Sequence, residues 1–285
     1  MRILVLGVTG MLGNAVFRVF SADPAYETWG TLRSHSGLQY FPPDSHAFLV
    51  TGVDVLDQDA LVSVLGKVRP DVVINCVGLI KQLADAKDPL TALPINAMLP
   101  HRLARLCVLI GARLIHVSTD CVFSGRKGGY QESDLSDAED LYGKSKYIGE
   151  VHDLAGTITL RTSIIGRELS SSHALVDWFL SQEGPVRGFS KAVFSGLPTV
   201  ELARVMKDFV IPNPALNGLY HVAAAPITKL ELLRLVARQY CKQIEIRPDD
   251  ALVIDRSLDG SRFREATGYI APDWPQLVHG MHADH

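Results

Sequence analysis

Six short aliphatic runs, separated by segments of helical periodicity, dominate the first 165 residues of this chain. They are "RILVL" (2–6), "ETWGTLR" (27–33), "AFLVTGVDV" (47–55), "PDVVINCVG" (70–78), "ARLIHVST" (112–119) and "TITLRTSIIG" (157–166). Runs that are continuously apolar, rather than alternating, suit strands buried on both faces, as in a parallel sheet covered by helices. Helical spacing follows the first run at Leu12, Val16, Val19 and Phe20. It recurs from Asp57 to about Val68, from Leu93 to Ile110 and from about Ala138 to Ala155. The alternation predicts an α/β fold with a doubly wound parallel sheet. "SHSGLQYFPPDSH", with two prolines, reads as a loop.

Beyond Gly166 the alternation breaks down. "ALVDWFLSQEG", "TVELARVMKDFVIP" and "TKLELLRLVARQYC" read as helices, and "GLYHVAA" as a strand. "DGSRFREATGY" reads as a short helix with Asp259 as its cap and Gly268 as its stop. The expected organisation is a dinucleotide-binding unit over 1–165 and a smaller α/β substrate lobe over 166–285, with segments near 196–225 packing back on the sheet. Trp178 is expected in the core of that lobe, with a place lining the site as the alternative.

Composition removes several classes of function. The 285 residues are 47% hydrophobic and 21% charged, which is ordinary globular content. A formal net charge of -3 and no dense Lys/Arg run argue against nucleic acid as a partner. No apolar stretch reaches the ~18 residues of a membrane span. The apolar opening runs into glycine-rich sequence without a signal peptide's cleavage region, so a cytoplasmic location is expected. Cys76, Cys107, Cys121 and Cys241 form no C-x-x-C pair and suit reduced thiols. The one histidine cluster, "HGMHADH", is expected to be a frayed tail, and no metal site is expected.

Gly7, Gly10 and Gly13 fall at the turn from the first strand into the first helix. Glycine lets backbone approach a ligand closely, and a helix N-terminus presents unpaired N–H groups, so this turn suits a pyrophosphate. Arg33 ends the second strand about twenty residues further on. A basic residue there accommodates a 2′-phosphate, so NADP(H) is preferred over NAD(H); a solvated surface arginine is the alternative. Ligands of such sheets collect beyond the carboxyl ends of the strands, where Thr119 stands and can hydrogen-bond a reacting carbonyl. "YGKSK" then sets Tyr142 and Lys146 one helical turn apart. An ammonium beside a phenol favours the phenolate and makes the phenol a better acid–base group.

The motifs "GVTGMLG", "VDV", "INCVG", "INAMLPHRLA", "HVSTDCVFSG", "YGKSK", "LRTSIIG" and "DRSLDGSRF" cover nearly the whole chain. Through them the sequence resembles an extended short-chain dehydrogenase/reductase, most closely the dTDP-4-dehydrorhamnose reductase group. The resemblance implies a Rossmann-type sheet and a nucleotide-sugar substrate. Tyr142 would protonate the ketone oxygen, Lys146 would lower the tyrosine pKa and bind the nicotinamide ribose, and Thr119 would orient the carbonyl. The implied cofactor contacts are Gly7, Thr9, Gly10, Met11, Leu12, Arg33, Asp54, Val55, Cys76, Val77, Gly78, Asn96, Tyr142 and Lys146. The implied substrate contacts are Lys81, Cys121, Val122, Phe123 and Arg256.

Three positions depart from the group's pattern. Cys121 replaces the usual tyrosine after "STD"; the sugar 4,6-dehydratases carry a glutamate there, and GDP-fucose synthases an epimerising cysteine. A small buried thiol is the plainer reading of Cys121. Ile164 stands where a tryptophan is usual, and Lys81 adds a charge near the expected sugar site or simply lies in solvent. The expected activity is NADP(H)-dependent reduction of a nucleotide-linked 4-keto-6-deoxy sugar to the 4-hydroxy sugar, as in surface-polysaccharide precursor synthesis. The alternatives are an epimerase/reductase using Cys121 and a non-catalytic regulatory protein of the same fold, for which the regulatory subunit of methionine adenosyltransferase is a precedent. A homodimer is compatible with this reading, which leaves the oligomeric state open.

Overall fold

A computed structural model describes residues 1–79 and 87–284. Its centre is a seven-stranded sheet. We label the strands β1 (Arg2–Leu6), β2 (Glu27–Leu32), β3 (Leu49–Thr51), β4 (Val72–Asn75), β5 (Arg113–Thr119) and β6 (Thr157–Thr162). From one edge, the strand Gly218–His221 is followed by β6, β5, β4, β1, β2 and β3. Every neighbouring pair is parallel. Chain order therefore reverses direction at β1, which places a crevice beyond the carboxyl ends of β1 and β4.

The unbroken apolar run of β1 has a direct explanation. Ile3 and Val5 join a cluster with Phe17 and Phe20 on one face. Leu4 and Leu6 join Leu61, Leu65, Leu99 and Leu103 on the other. Each such side chain contributes roughly 1.5–3 kcal/mol by burial, so both faces of the strand are committed. The covering helices are α1 (Met11–Ser21), α2 (Gln58–Val68), α3 (Pro89–Ala92), α4 (Leu99–Ile110) and α5 (Leu141–Ile148). Asp57 caps α2 by accepting the N–H groups of Asp59 and Ala60. The helix Thr199–Val205 packs on α1, and the strand Gly218–His221 extends the sheet beyond β6. Shorter pairings complete the second half: Ile164–Ile165 with Leu197–Pro198, Val186–Phe189 with Ile246–Asp249, and Ala192–Phe194 between Ile227–Thr228 and Ile254–Asp255.

Several elements differ from the sequence expectations. β3 covers three residues rather than nine, and the loop before it winds into 3₁₀ turns at His35–Tyr40 and Pro43–Phe48. The helix expected from Leu93 opens with a π-helical segment, Leu93–Met98, that holds Asn96. The helix carrying Tyr142 ends at Ile148, not near Ala155, because the chain turns at Gly149 and sends Glu150 under the sheet to Arg161. The helix Ser261–Thr267 starts from Gly260 without a side-chain cap bond; Asp259 Oδ1 accepts the Ser261 N–H instead. Gly268 does stop it, at φ +77°. Trp178 is 37% exposed, since Val176 and Phe179 are the residues its helix turns inward.

The C-terminal stretch is a helix, Trp274–Ala283, not a frayed tail. Trp274, Leu277, Val278 and Met281 are buried along one face of it. Asp273 and Gln276 form its capping box, and Arg18 binds Asp284 at its far end. His285 lies outside the described residues. Among the described residues no group of acidic, His and Cys side chains could hold a metal ion, and no helix is long and apolar enough to cross a membrane.

Gly149 is where α5 meets the π-helical segment: a Cβ there would stand 2.0 Å from the Asn96 carbonyl oxygen. Backbone cannot give way as a flexible side chain does. Gly149→Ala is expected to cost about 1–3 kcal/mol by overpacking. Urea unfolding will show this as a lowered midpoint with an unchanged slope.

Candidate active site

Gly7 follows β1 at φ +80°, a conformation that glycine adopts without strain. A Cβ there would meet Val77 Cγ2 at 2.8 Å, and one on Gly13 would stand 2.1 Å from the Gly7 carbonyl oxygen. The turn is therefore drawn tightly under the start of α1. Gly10 occupies the N-cap of this eleven-residue helix without a side-chain bond, and no acidic residue lies in its first turn. Its N–H groups and positive dipole end suit a pyrophosphate. Thr9 and Gly10 are exposed, Met11 is half-buried, and Leu12 is buried in the core. Arg33 and Asp54 are exposed at the carboxyl side of β2 and β3, with Val55 half-buried beside them.

Three consecutive residues of β5 meet the helix that carries the Tyr–Lys pair. The Val117 carbonyl accepts Lys146 Nζ at 2.8 Å, and Ser118 Oγ donates to Glu150 Oε1 at 2.7 Å. Thr119 places its hydroxyl between Asp120 Oδ1 and the Cys121 N–H, each at 3.1 Å, close enough to the Tyr142 phenol to draw its pKa down. Asp140 starts α5 by accepting the Gly143 N–H at 2.8 Å, which fixes where Tyr142 and Lys146 emerge. Asn96 braces the pair from the π-helical segment: its Nδ2 donates to Ser145 Oγ at 3.2 Å, and its Oδ1 accepts the Leu79 N–H at 3.0 Å. A Cβ on Gly78 would meet Asn96 Oδ1 at 3.5 Å and Lys146 Nζ at 3.8 Å, so the loop after β4 closes the same corner.

The electrostatics differ from one expectation: burial pushes the Tyr142 phenol above its ordinary value, with Cys121 and Asp120 adding to the effect. The reason is geometric. Lys146 is turned toward the Val117 carbonyl, and the charge that acts on it is the Glu150 carboxylate. Burial lowers the lysine to about 8 against that pull. Cys76, behind it, is raised to about 12 by burial and so stays a thiol. The pair is thus a protonated phenol beside an amine poised near neutrality.

A cleft of about 350 Å³ opens at the start of α5, lined by Cys121, Phe123, Ser124, Arg126, Asp140 and Arg256, among others. Arg256 Nε donates to the Phe123 carbonyl at 2.7 Å. Asp120, the residue before Cys121, is buried; burial raises its pKa, while Arg256 and bonds from Cys121 and Thr119 oppose the shift. Val122 and Phe123 turn their side chains into a small core with Tyr130 and Leu258, where Phe123 stacks on Tyr130 at 4.0 Å. Lys81 lies outside the described residues.

Sequence reasoning missed the network beneath the site. Arg161 clamps Glu150 with Nε to Oε1 at 2.8 Å and Nη2 to Oε2 at 2.5 Å. Its Nη1 donates to His221 Nε2 at 2.9 Å, and His221 Nδ1–H donates to the Tyr130 carbonyl at 3.0 Å. Burial, with Arg161 alongside, lowers the His221 pKa to about 3, so the ring is neutral. The available signal was an arginine inside the apolar run "TITLRT" and a glutamate four residues after Lys146.

The sequence matches the RmlD substrate-binding domain family over residues 1–253. The chain is 30% identical to methionine adenosyltransferase 2 subunit beta of Danio rerio over 249 residues, which cover 83% of this chain and 73% of that protein. It is 35% identical to dTDP-4-dehydrorhamnose reductase of Mycobacterium tuberculosis over 134 residues, 40% of this chain and 44% of that protein. Its fold is shared with dTDP-4-dehydrorhamnose reductase from Bacillus anthracis, solved in complex with NADP, at TM-score 0.80 and 20% identity, covering 100% of this chain and 99% of that one. It is shared also with the Bordetella bronchiseptica enzyme WbmG, solved with NAD and UDP, at TM-score 0.78 and 18% identity, covering 100% and 94%. With its family match spanning most of its length, the chain belongs to the RmlD substrate-binding domain family.

Proposed function

We propose that the protein is an NADP(H)-dependent reductase that converts a nucleotide-linked 4-keto-6-deoxy sugar to the 4-hydroxy sugar. The observation that carries this reading is the gathering of Thr119, Tyr142 and Lys146 at the carboxyl end of β5, joined to the glycine turn after β1 through Val77 and Gly78. NADP and UDP in solved proteins of the same fold support it.

In this reading Gly7, Thr9, Gly10 and the start of α1 receive the pyrophosphate, and Arg33 faces the 2′-phosphate. Asp54 and Val55 flank the adenine, while Cys76, Val77, Gly78 and Asn96 line the ribose side. The sugar lies in the cleft of Cys121, Phe123 and Arg256, its carbonyl oxygen toward Thr119 and Tyr142. The bound nicotinamide supplies a hydride to the carbonyl carbon. As negative charge builds on the oxygen, Tyr142 donates its proton there and Thr119 steadies the oxygen by a hydrogen bond. A phenol whose pKa is raised is fully protonated at neutral pH, the state an acid needs. Lys146 contributes a positive charge behind the phenol and binds the ribose.

A second reading is favoured by the relatives named as a methionine adenosyltransferase subunit: a dinucleotide-binding protein that assembles with an enzyme and turns nothing over. NADPH binding by calorimetry without oxidation on any of a panel of dTDP-, UDP-, GDP- and CDP-linked 4-ketosugars would favour it and reject the reductase.

Tyr142→Phe is expected to lower kcat by about 10²–10⁴-fold while leaving NADPH affinity near wild type. Full hydride transfer in that variant would overturn the mechanism. The active form needs the Lys146 ammonium, which is lost as pH rises through the lysine pKa. Accordingly kcat/KM should be flat at lower pH and fall with a midpoint near 8. Arg33→Asp should reduce the preference for NADPH over NADH roughly ten- to a hundredfold, the effect of one charge-assisted phosphate contact. Paired kcat/KM values for the two cofactors measure it.

A further inference from the structure

Lys146 is almost wholly removed from water, a costly place for an ammonium unless an anion faces it. The charged and titratable groups around it sort quickly. Cys76, on the loop after β4, is held as a thiol. His116, on β5, is pushed well below its ordinary pKa by burial, with Lys146 and His101 adding to the effect, and is neutral. Tyr142 on α5 is a protonated phenol, and His221 on the edge strand is neutral. Arg161 on β6 is a cation. Of the groups so placed among the described residues, Glu150 supplies the negative charge.

Its placement is built rather than incidental. Glu150 follows Lys146 by four residues, but the helix ends between them at Gly149, which has no room for a side chain against the Asn96 carbonyl. The chain therefore leaves the helix where it must to bring the carboxylate inward. There Arg161 binds it through two bonds, and Ser118 Oγ donates to Oε1 at 2.7 Å. Ser118 is the next residue after Val117, whose carbonyl receives Lys146 Nζ. The ammonium and the carboxylate are thus registered on successive residues of one strand.

We propose that Glu150 is a positioning residue of this site: clamped by Arg161 and Ser118, its carboxylate holds Lys146 in the ammonium form against the Val117 carbonyl. The proposal rests on the reductase reading for what that ammonium does, but not for whether Glu150 maintains it. Arg161 carries the positive charge paired with Glu150. In Glu150→Gln the guanidinium is left without its carboxylate, so both changes lower the Lys146 pKa. In Glu150→Gln/Arg161→Met both buried charges go, and the space of the arginine stem stays filled.

The test is direct titration of Lys146 by its ¹³Cε chemical shift, assigned by comparison with Lys146→Arg. Wild type is expected to titrate near 8. Glu150→Gln should move the midpoint down by about one unit or more, and the double variant should move it in the same direction by less. The midpoint of the alkaline fall in kcat/KM should shift in parallel with each. A thermal melt near that of wild type identifies the double variant as folded, so a structural defect in the single variant leaves the question decidable. An unshifted Lys146 midpoint in a folded variant overturns the proposal. Absence of turnover on every ketosugar, with the lysine shift present, overturns the reductase reading and leaves the role of Glu150 standing.

Discussion

A strand covered on both faces can present polar chemistry only at its ends. β1, β4 and β5 lie in the middle of the sheet with helices on either side, and their interiors are almost wholly aliphatic. Reactive groups are therefore displaced to the carboxyl ends, where backbone enters turns and carbonyl and N–H groups become free to bind something else. Gly7 after β1, Cys76 to Gly78 after β4 and Val117 to Thr119 on β5 all occupy that rim. The same burial that stabilises the sheet confines the chemistry to one crevice.

That confinement has an electrostatic consequence. Lys146, reaching from α5 to Val117 of β5, and Arg161, paired on β6 with Ser118, are both buried, and a single glutamate faces both. Removing one partner of such a buried pair costs about 3–5 kcal/mol, so stability alone would preserve Glu150 and Arg161. The Arg161 guanidinium also lies 4.9 Å over the Phe123 ring, whose carbonyl holds Arg256 at the cleft. A packing contact thus links the ion pair to the wall of the cleft.

The sheet was legible because period and burial agree in it. "RILVL" is apolar on both faces and "TITLRT" turns Ile158 and Leu160 into the core, and Tyr142 and Lys146 share a helical spacing that survives folding. What escaped was set by contacts distant in sequence. The end of α5 depends on the Asn96 carbonyl, more than fifty residues earlier, and no local pattern marks it; "YIGEVHDLA" continues a plausible helix on propensity alone. The tail misled for a different reason. Its histidines drew attention to the polar face, while Trp274, Leu277, Val278 and Met281 keep the i, i+3, i+4, i+7 spacing of a buried one. Arg161 shows the opposite case: a charge inside an apolar strand demands a partner, and its partner could have been sought.

The split in proton affinity across the site follows from which group turns toward what. Burial raises a phenol and lowers an amine, so the two neighbours move in opposite directions from similar starting values. Had Lys146 pointed at the phenol, its charge would have offset burial and drawn Tyr142 toward phenolate, the form suited to oxidising an alcohol. With Nζ on the Val117 carbonyl, the tyrosine stays an acid and the lysine carries the adjustable charge. Of the two groups, the lysine is the one whose charge changes near neutral pH, while the tyrosine stays protonated there.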